Sequence, residues 1–319
     1  AVSYAVVAYQ TAYFKCHFPR EYMAALLTSV LDNSDKVSGY IGECRECGIA
    51  LLPPDINRSA DRFTVEEGGI RFGLVAIKNI GRGFIQAVMR ERETGGDFTS
   101  LYDFCSRMNG SEMNKRAVEN LIRSGAFDSM GARRSQLIKV YESVMDSVAA
   151  QQRDNVEGQM DFFSMAADND EKSNSVKEIH LPDIPEYTPE ELMTMEKATT
   201  GLYLSGHPMD HYRDAVRKLH APTIVSIIED FSRENGPERF TDGQRITIAG
   251  VITSSKTKTT KNNSLMAYVM VEDDTASLEL LCFSRVLETC GAYMKENQAV
   301  VVKGRLSVRD EKAPQIMCD

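Results

Sequence analysis

The stretch Gly73–Val88, GLVAIKNIGRGFIQAV, constrains the fold of this chain more than any other part of the sequence. Leu74 and Ile77 predict the end of one helix. Apolar residues at helical intervals after Gly81 predict the start of a second. The residues between include Asn79 and Gly81, both of types that tolerate a left-handed backbone. The pattern therefore predicts two helices joined by a tight turn.

Such a turn is suited to binding an anion. It points backbone N–H groups outward at the positive end of a helix, and two basic side chains flank it. The pattern resembles a helix-hairpin-helix motif, which grips nucleic-acid phosphates without reading bases; a plain helical turn is the alternative. The predicted phosphate contacts are Lys78, Asn79, Ile80, Gly81, Arg82 and Gly83.

The charge is unevenly distributed along the chain. The net charge of −9 over 319 residues argues against a nucleic-acid partner. Residues 71–139, however, hold twelve basic and seven acidic side chains, whereas residues 154–200 hold three basic and twelve acidic ones. The sequence therefore predicts a basic module followed by an acidic, solvated segment.

Composition sets broad limits on the class of protein. No apolar run approaches the roughly 20 residues that span a bilayer, so no membrane partner is expected. Seven irregularly spaced cysteines indicate reduced thiols and a cytoplasmic location. The chain begins at Ala1 within a helical pattern, so a fragment of a longer protein is expected.

A second hairpin is predicted between Asn114 and Tyr141. Its turn, SGAFDSMGARR, departs from the motif because Phe127 stands where a second small residue would follow Gly125. We expect Phe127 to pack in the core. Arg133 and Arg134, at the start of the next helix, remain candidate phosphate contacts.

The polar, acidic stretch 151–187 predicts a flexible linker. Two adjacent phenylalanines within it indicate a peptide anchor that inserts aromatic rings into the pocket of a partner. The alternative is a local tether onto the preceding helix. The predicted anchor comprises Gln159, Met160, Asp161, Phe162 and Phe163.

From Gln244 onward the sequence predicts three strands, a helix and two strands, which is the order of an OB-fold. The segment Ser254–Asn263 is expected to form the loop between the first two strands. Its lysines are either phosphate contacts or part of a solvated hairpin tip. They are Lys256, Lys258 and Lys261. Tyr268 and Phe283 are the main candidates for stacking on bases.

Potential metal ligands are sparse. His207 and His211 lie four residues apart, but Pro208 interrupts the helix and further ligands do not follow. The pair Cys44 and Cys47 has no matching second pair. We therefore predict no metal site, and no nucleophile, base or metal cluster indicates catalysis.

Several phrases make a resemblance specific. SYAVVAYQTAYFKCHFPREYMAALL, ECRECGIALLPPDIN, IRFGLVAIKNIG, NKRAVENLIRSGAFDSMGARR, GQMDFF and TTGLYLSGHPMDHYR resemble, in this order, the alpha subunit of bacterial DNA polymerase III. This is the C-family of replicative polymerases, here in the form that lacks a built-in proofreading exonuclease. The likeness covers nearly the whole chain.

The resemblance implies a multidomain α + β architecture. The expected parts are the end of the fingers (1–65), a tandem helix-hairpin-helix domain (66–150), a linker with a clamp-binding motif (151–187), a helical connector (188–235) and a five-stranded OB-fold truncated in its last strand (236–319). The implied partners are duplex DNA, single-stranded template, the sliding clamp and other replisome subunits.

The resemblance also implies that the catalytic palm, with its magnesium ions, lies outside this chain. No cofactor is therefore expected here, and the chain should not polymerise alone. The parent enzyme would add nucleotides by two-metal phosphoryl transfer. The alternative function is a protein-interaction scaffold that has an OB-fold and little DNA binding.

Overall fold

The structure is a computed structural model that describes residues 2–31, 34–110, 113–156, 181–233, 236–259, 263–308 and 313–319. It divides into two compact units, Ala1–Leu204 and Ser205–Asp319. Each unit has a hydrophobic core of its own. No helix within the described ranges is long and apolar enough to cross a membrane.

Three helices open the first unit: α1 (Val2–His17), α2 (Pro19–Ser29) and α3 (Ser34–Glu46). Pro19 lies in the first turn of α2, where its missing N–H has no cost. Helix α2 packs into the core, whereas α1 buries none of its described residues.

A small sheet follows, made of β1 (Leu51–Leu52), β2 (Thr64–Glu66) and β3 (Gly69–Arg71). Strand β3 pairs antiparallel with β2 and parallel with β1. Arg71 is buried, and its Nη2 lies 2.7 Å from Oε2 of Glu66. This hydrogen bond lowers the pKa of Glu66, so the pair stays ionised at the edge of the core.

The remaining helices of this unit are α4 (Arg82–Gly95), α5 (Leu101–Met108), α6 (Lys115–Arg123), α7 (Arg134–Val156) and α8 (Pro189–Thr200). A cluster of aromatic rings joins α4, α5 and the turn after α6. The ring centroid of Phe104 lies 5.0 Å from that of Phe98, 5.1 Å from Phe127 and 6.2 Å from Phe84. The predicted core position of Phe127 is confirmed, because this residue is 1% exposed.

The first predicted helix of the Gly73–Val88 hairpin is wrong. Only one 3-10 turn, Leu74–Ala76, precedes the hairpin turn, and Ile77 is already extended. The amide of Leu74 donates to the carbonyl of Ala60 instead of continuing a helix. The backbone also passes so close to Arg62 that a Cβ on Gly73 would lie 2.4 Å from its carbonyl carbon.

The second hairpin forms as predicted between α6 and α7. Its turn is a Schellman motif, because the amide of Ala126 donates to the carbonyl of Leu121 and the amide of Gly125 to that of Ile122. Gly125 has a φ of +84°, the left-handed region that favours glycine. A short 3-10 turn, Asp128–Met130, then leads into α7.

The second unit contains α9 (Arg213–Leu219), α10 (Ile224–Phe231), β4 (Arg245–Thr259), β5 (Leu265–Glu272), β6 (Ser277–Phe283), α11 (Ser284–Cys290), β7 (Ala299–Ser307) and β8 (Gln315–Cys318). The strands close a barrel in the order β4-β5-β6-β8-β7. Strands β6 and β8 are parallel, and the other neighbours are antiparallel. Together with α11 between β6 and β7, this order confirms the predicted OB-fold.

Asp230, at the end of α10, fixes the segment of the chain that leads into the barrel. Its buried carboxylate accepts hydrogen bonds from the backbone N–H groups of Glu238, Arg239 and Phe240, at 3.2, 2.8 and 2.8 Å. Burial raises the pKa of Asp230, but these donors outweigh burial and the pKa is lowered. The carboxylate therefore fixes the chain just before β4.

Candidate nucleic-acid interface

Helix α4 begins without a side-chain cap. Gly81, the N-cap residue, is extended, with φ −74° and ψ 145°, and no side chain among the described residues accepts from the first amides. Gly81, Arg82 and Gly83 are all exposed. Arg82 makes no hydrogen bond or ion pair with the described residues. The amides of this helix end and a guanidinium group are therefore accessible to an anion.

The turn before α4 is fixed through Lys78. Its amide donates to the carbonyl of Thr199 at 2.8 Å, and its carbonyl accepts from Nδ2 of Asn120 at 2.7 Å. The next residue, Asn79, has a φ of +62°, which confirms the predicted left-handed position. The left-handed tolerance expected of Gly81 is not used, because its φ is negative.

The ammonium group of Lys78 is partly engaged within the protein. Nζ donates to the carbonyl of Ala198 at 3.1 Å, near the C-terminal end of α8, where a positive charge is favoured. An ammonium has three donors, and Lys78 is exposed, so donors remain for a second acceptor. Lys78 therefore positions the turn first and is a weaker candidate than Arg82 for a phosphate contact.

The predicted phosphate contact by Arg134 is corrected by the structure. Arg134 is buried, and its Nη2 lies 2.7 Å from Oδ2 of Asp128 and 3.1 Å from Oε1 of Glu196. Burial lowers the pKa of Arg134, but the two carboxylates outweigh burial and the pKa is raised. The guanidinium is thus a charged member of a buried network. We do not retain Arg134 as a DNA contact.

The start of α7 is also occupied from within the chain. The carboxylate of Glu186 accepts the backbone N–H of Arg134 at 2.7 Å and that of Ser135 at 3.0 Å. Nη1 of Arg133 donates to the carbonyl of Ile184 at 2.7 Å. Arg133 is about half exposed, so its contact with a nucleic acid stays a prediction.

In the barrel, Lys256 and Lys258 are strand residues, not loop residues as predicted, because β4 continues to Thr259. A bulge between Ile252 and Ser254 shifts the register by one residue. Before the bulge, even-numbered residues such as Ile252 face the core; after it they face outward. The bulge therefore places both lysines on the outer surface.

The outward residues form rows across the strands. Lys256 lies opposite Tyr268 on β5, and Lys258 lies opposite Met266. Phe283 of β6 pairs with Met266 on the other side and is 45% exposed. This barrel face presents two ammonium groups beside two aromatic rings, the combination that suits a single-stranded nucleic acid.

Other predicted positions lie outside the described residues. These are Lys261 and the anchor Gln159, Met160, Asp161, Phe162 and Phe163. His207 has a local role, because its Nδ1 accepts the N–H of Met209 and begins a short helical turn. Within the described ranges, no group of three or more His, Cys, Asp or Glu side chains is placed to hold a metal ion.

Two features were missed by sequence reasoning. The bulge had a signal, since even-numbered positions change from Ile246, Ile248 and Ile252 to Lys256 within one strand. No sequence signal indicated the role of Glu186, because the α7 amide that its carboxylate binds lies about fifty residues away in the sequence.

Comparisons with known proteins match the two regions that carry these residues. A family described as "Helix-hairpin-helix motif" matches residues 48–137, and one described as "OB-fold nucleic acid binding domain" matches residues 246–319. Among solved structures, the SSB domain of a Synechococcus sp. protein matches 25% of this chain and 96% of its own, at 16% identity and a TM-score of 0.23.

Curated relatives match nearly the whole chain. DNA polymerase III subunit alpha of Saccharopolyspora erythraea is 37% identical over 311 residues, which is 97% of this chain and 26% of the relative. The subunit of Mycobacterium tuberculosis is 34% identical over 319 residues, and that of Vibrio cholerae 32% over 311. The chain spans about a quarter of the length of these relatives. It is therefore homologous to the C-terminal part of DNA polymerase III subunit alpha, and the helix-hairpin-helix and OB-fold families match its own residues.

Proposed function

We propose that this chain is the part of a bacterial replicative polymerase that holds duplex DNA and single-stranded template without reading their sequence. In this proposal the hairpin region grips the duplex backbone and the barrel approaches the template. The parent enzyme performs template-directed DNA synthesis in the cytoplasm, with its palm and magnesium ions outside this chain. Homology to DNA polymerase III subunit alpha supports this assignment.

One observation carries the proposal: the N-terminus of α4 is exposed and has no side-chain cap, and Arg82 beside it has no partner among the described residues. A phosphate would accept hydrogen bonds from the free backbone N–H groups at this helix end. The contacts that we propose there are Lys78, Asn79, Ile80, Gly81, Arg82 and Gly83. Such contacts fix the position of the backbone and leave the bases unread.

The barrel contributes a second proposed contact. Lys256 and Lys258 would meet the backbone of a single strand, while Tyr268 and Phe283 would stack on bases. Lys261 is proposed with them from its place in the sequence. Five side chains make a small surface, so we expect weak binding by the barrel alone.

We also propose that residues 159–163 dock on the sliding clamp and that the chain meets other replisome subunits. The support is the sequence pattern Gln159-Met-Asp-Phe162-Phe163 and its place between hairpins and barrel. Such anchors bind weakly alone and gain from tethering. We propose for this chain the same domain boundaries that the resemblance implies.

Duplex binding tests the main proposal against the scaffold alternative. The full chain is titrated with a short fluorescent duplex at several salt concentrations, as wild type, Arg82→Glu and Arg90→Glu. Arg90 lies on the same helix, eight residues (about 12 Å) further along, and is exposed. Arg82→Glu removes a phosphate contact and introduces a repulsive charge, so it should weaken binding at least tenfold. Arg90→Glu should cost much less.

The slope of log affinity against log salt gives a second readout. Loss of one phosphate contact lowers its magnitude by about 0.9. A wild-type slope near zero would favour the scaffold. Equal losses of affinity in Arg82→Glu and Arg90→Glu would show that the N-terminus of α4 does not contact the duplex.

A further inference from the structure

Two cysteines lie side by side where the barrel closes between β6 and β8. Sγ of Cys282 lies 3.4 Å from Sγ of Cys318, close enough for one thiol to donate a hydrogen bond to the other. The two residues are 36 positions apart in the sequence, so the barrel fold and not the local chain brings them together. Both are free thiols in this structure. The fold thus assembles two thiols at a distance from which a disulfide can form.

The strand register places the two thiols on the same face. Strands β6 and β8 are parallel, and Leu280 lies opposite Ile316, both buried in the barrel core. Two residues further along each strand, Cys282 and Cys318 face the same way, because side chains alternate along a strand. Adjacent strands lie ~4.8 Å apart, which is within the Cα separation of ~4.4–6.8 Å that a disulfide spans. Rotation of the two side chains can therefore form the bond while the strands stay paired.

The pair is more reactive than an isolated buried thiol. Burial raises the pKa of Cys105 to about 12. Cys282 is also buried, yet its pKa is lowered, because the hydrogen bond with Cys318 stabilises the thiolate more than burial destabilises it. The same hydrogen bond raises the pKa of Cys318, which keeps its proton. The first proton lost from the pair therefore leaves a thiolate on Cys282, and a thiolate is the form that reacts with an oxidant.

We propose that Cys282 and Cys318 form a reversible disulfide when the chain meets a peroxide, and that this bond stabilises the barrel. The thiolate of Cys282 attacks one peroxide oxygen, the O–O bond breaks, and the leaving hydroxide takes up a proton as water. The sulfur of Cys318 then attacks the sulfenic acid, the S–S bond forms, and a second water leaves. Two thiols and one hydrogen peroxide thus give one disulfide and two waters, and the peroxide gains the two electrons that the sulfurs lose.

The position of the pair explains both the access and the effect. Cys318 is only partly buried, so the pair lies at the edge of the core, within reach of an oxidant as small as hydrogen peroxide. Strand β8 is four residues long, and three residue pairs within the described ranges join it to β6. A covalent link between these strands restricts mainly the unfolded chain and so stabilises the folded barrel. The inference concerns the barrel itself and does not depend on DNA binding.

Peptide mapping tests the link. The reduced full chain is treated with hydrogen peroxide, the remaining thiols are alkylated, and the digest is analysed by mass spectrometry without reduction. We expect a linked pair of peptides that contain Cys282 and Cys318 and that separate after treatment with dithiothreitol. Cys290→Ser, which removes an exposed cysteine of α11, should give the same linked pair. A link from Cys290 to either thiol, or alkylation of both Cys282 and Cys318 after oxidation of the exposed cysteines, would overturn the proposal.

Urea unfolding, followed through the NMR amide signals of β5, tests the stabilisation. The urea midpoint of the oxidised wild type should fall by ~1 M or more when dithiothreitol is added, as expected for loss of a disulfide that closes a loop of this length. Dithiothreitol reduces the disulfide and leaves any methionine sulfoxide in place, so this comparison isolates the link without a variant. Oxidised Cys290→Ser should show the same fall, and oxidised Cys318→Ser should show none. An unchanged midpoint in the wild type would overturn the stabilising role of the bond.

Discussion

Lys256 and Tyr268 lie directly opposite each other on strands β4 and β5, and both side chains point away from the barrel core. Nζ of the neighbouring Lys258 lies 6.0 Å from the Tyr268 ring centroid. A base stacked on Tyr268 would thus lie near two cations of the neighbouring strand β4. Stacking on Tyr268 and phosphate contacts by the lysines should respond differently to salt in a binding experiment.

We predict that Tyr268→Ala weakens binding of a short oligothymidine roughly tenfold and leaves the salt slope unchanged, because stacking is worth ~1–3 kcal/mol per base and involves no counterion. Lys256→Ala should lower the magnitude of the slope by about 0.7. Fluorescence anisotropy at several salt concentrations measures both. Tyr293→Ala is the control, since this exposed tyrosine lies outside the strands. Equal effects of the two tyrosine variants would contradict the assigned face.

The turn of the second hairpin offers a stability test based on two glycines. Gly125 and Gly131 have φ values of +84° and +82°. A Cβ on Gly125 would lie 2.3 Å from Nη2 of Arg134, whereas one on Gly131 would meet nothing within 4 Å. Gly131→Ala should cost about 1 kcal/mol for the left-handed backbone alone. Gly125→Ala should cost at least 2 kcal/mol more, because it also disturbs the buried ion pairs.

Urea unfolding followed by circular dichroism gives both free energies. The comparison isolates the contact with Arg134, since the backbone conformation is nearly the same at the two positions. Equal losses would mean that the Arg134 guanidinium moves aside without cost.

These positions also show where sequence reasoning succeeds and where it stops. The order of elements in the barrel was predictable because strand alternation and helix period are local patterns. The core position of Phe127 was predictable because a large aromatic ring replaced a small residue in a known turn. The role of Arg134 was not, because Glu196, which pairs with it, lies 62 residues away and nothing local distinguishes it from the exposed Arg133.

The same limit applies to the candidate site. The residue types for phosphate binding were evident in Lys78–Gly83, yet the sequence did not reveal that Lys78 already donates to the carbonyl of Ala198. Residues 254–259 are lysines among small polar residues, a composition that predicts part of a solvated loop. One bulge in β4 makes that composition compatible with an exposed strand face.

The proposed clamp anchor gives a third prediction. Gln159→Ala combined with Phe163→Ala should weaken binding of the full chain to a purified bacterial sliding clamp at least tenfold, because both anchoring groups are removed. Surface plasmon resonance measures the affinity. Ser173→Ala with Ser175→Ala is the control, since it alters the same acidic segment away from the motif. An unchanged affinity of the Gln159→Ala, Phe163→Ala variant would show that this motif does not bind the clamp.

Asp230 predicts a pH dependence for the stability of the barrel. Burial raises the pKa of this carboxyl, but the amides of Phe240, Arg239 and Glu238 outweigh burial, so its pKa is lower in the folded than in the unfolded chain. The unfolded chain therefore takes up the proton first as the pH falls. The stabilisation by the carboxylate is complete above the unfolded pKa of about 3.9 and is lost as the pH falls through the folded pKa.

We therefore expect Asp230→Ala to destabilise the barrel at pH 7, and the difference from the wild type to shrink below about pH 4. Urea unfolding, followed through the NMR amide signals of β5, measures the free energy at each pH. Asp214→Ala is the control, because that carboxylate is 91% exposed and forms only a long surface ion pair. A penalty for Asp230→Ala that stays constant from pH 7 to pH 3 would show that the carboxylate contributes through packing and not through its charge.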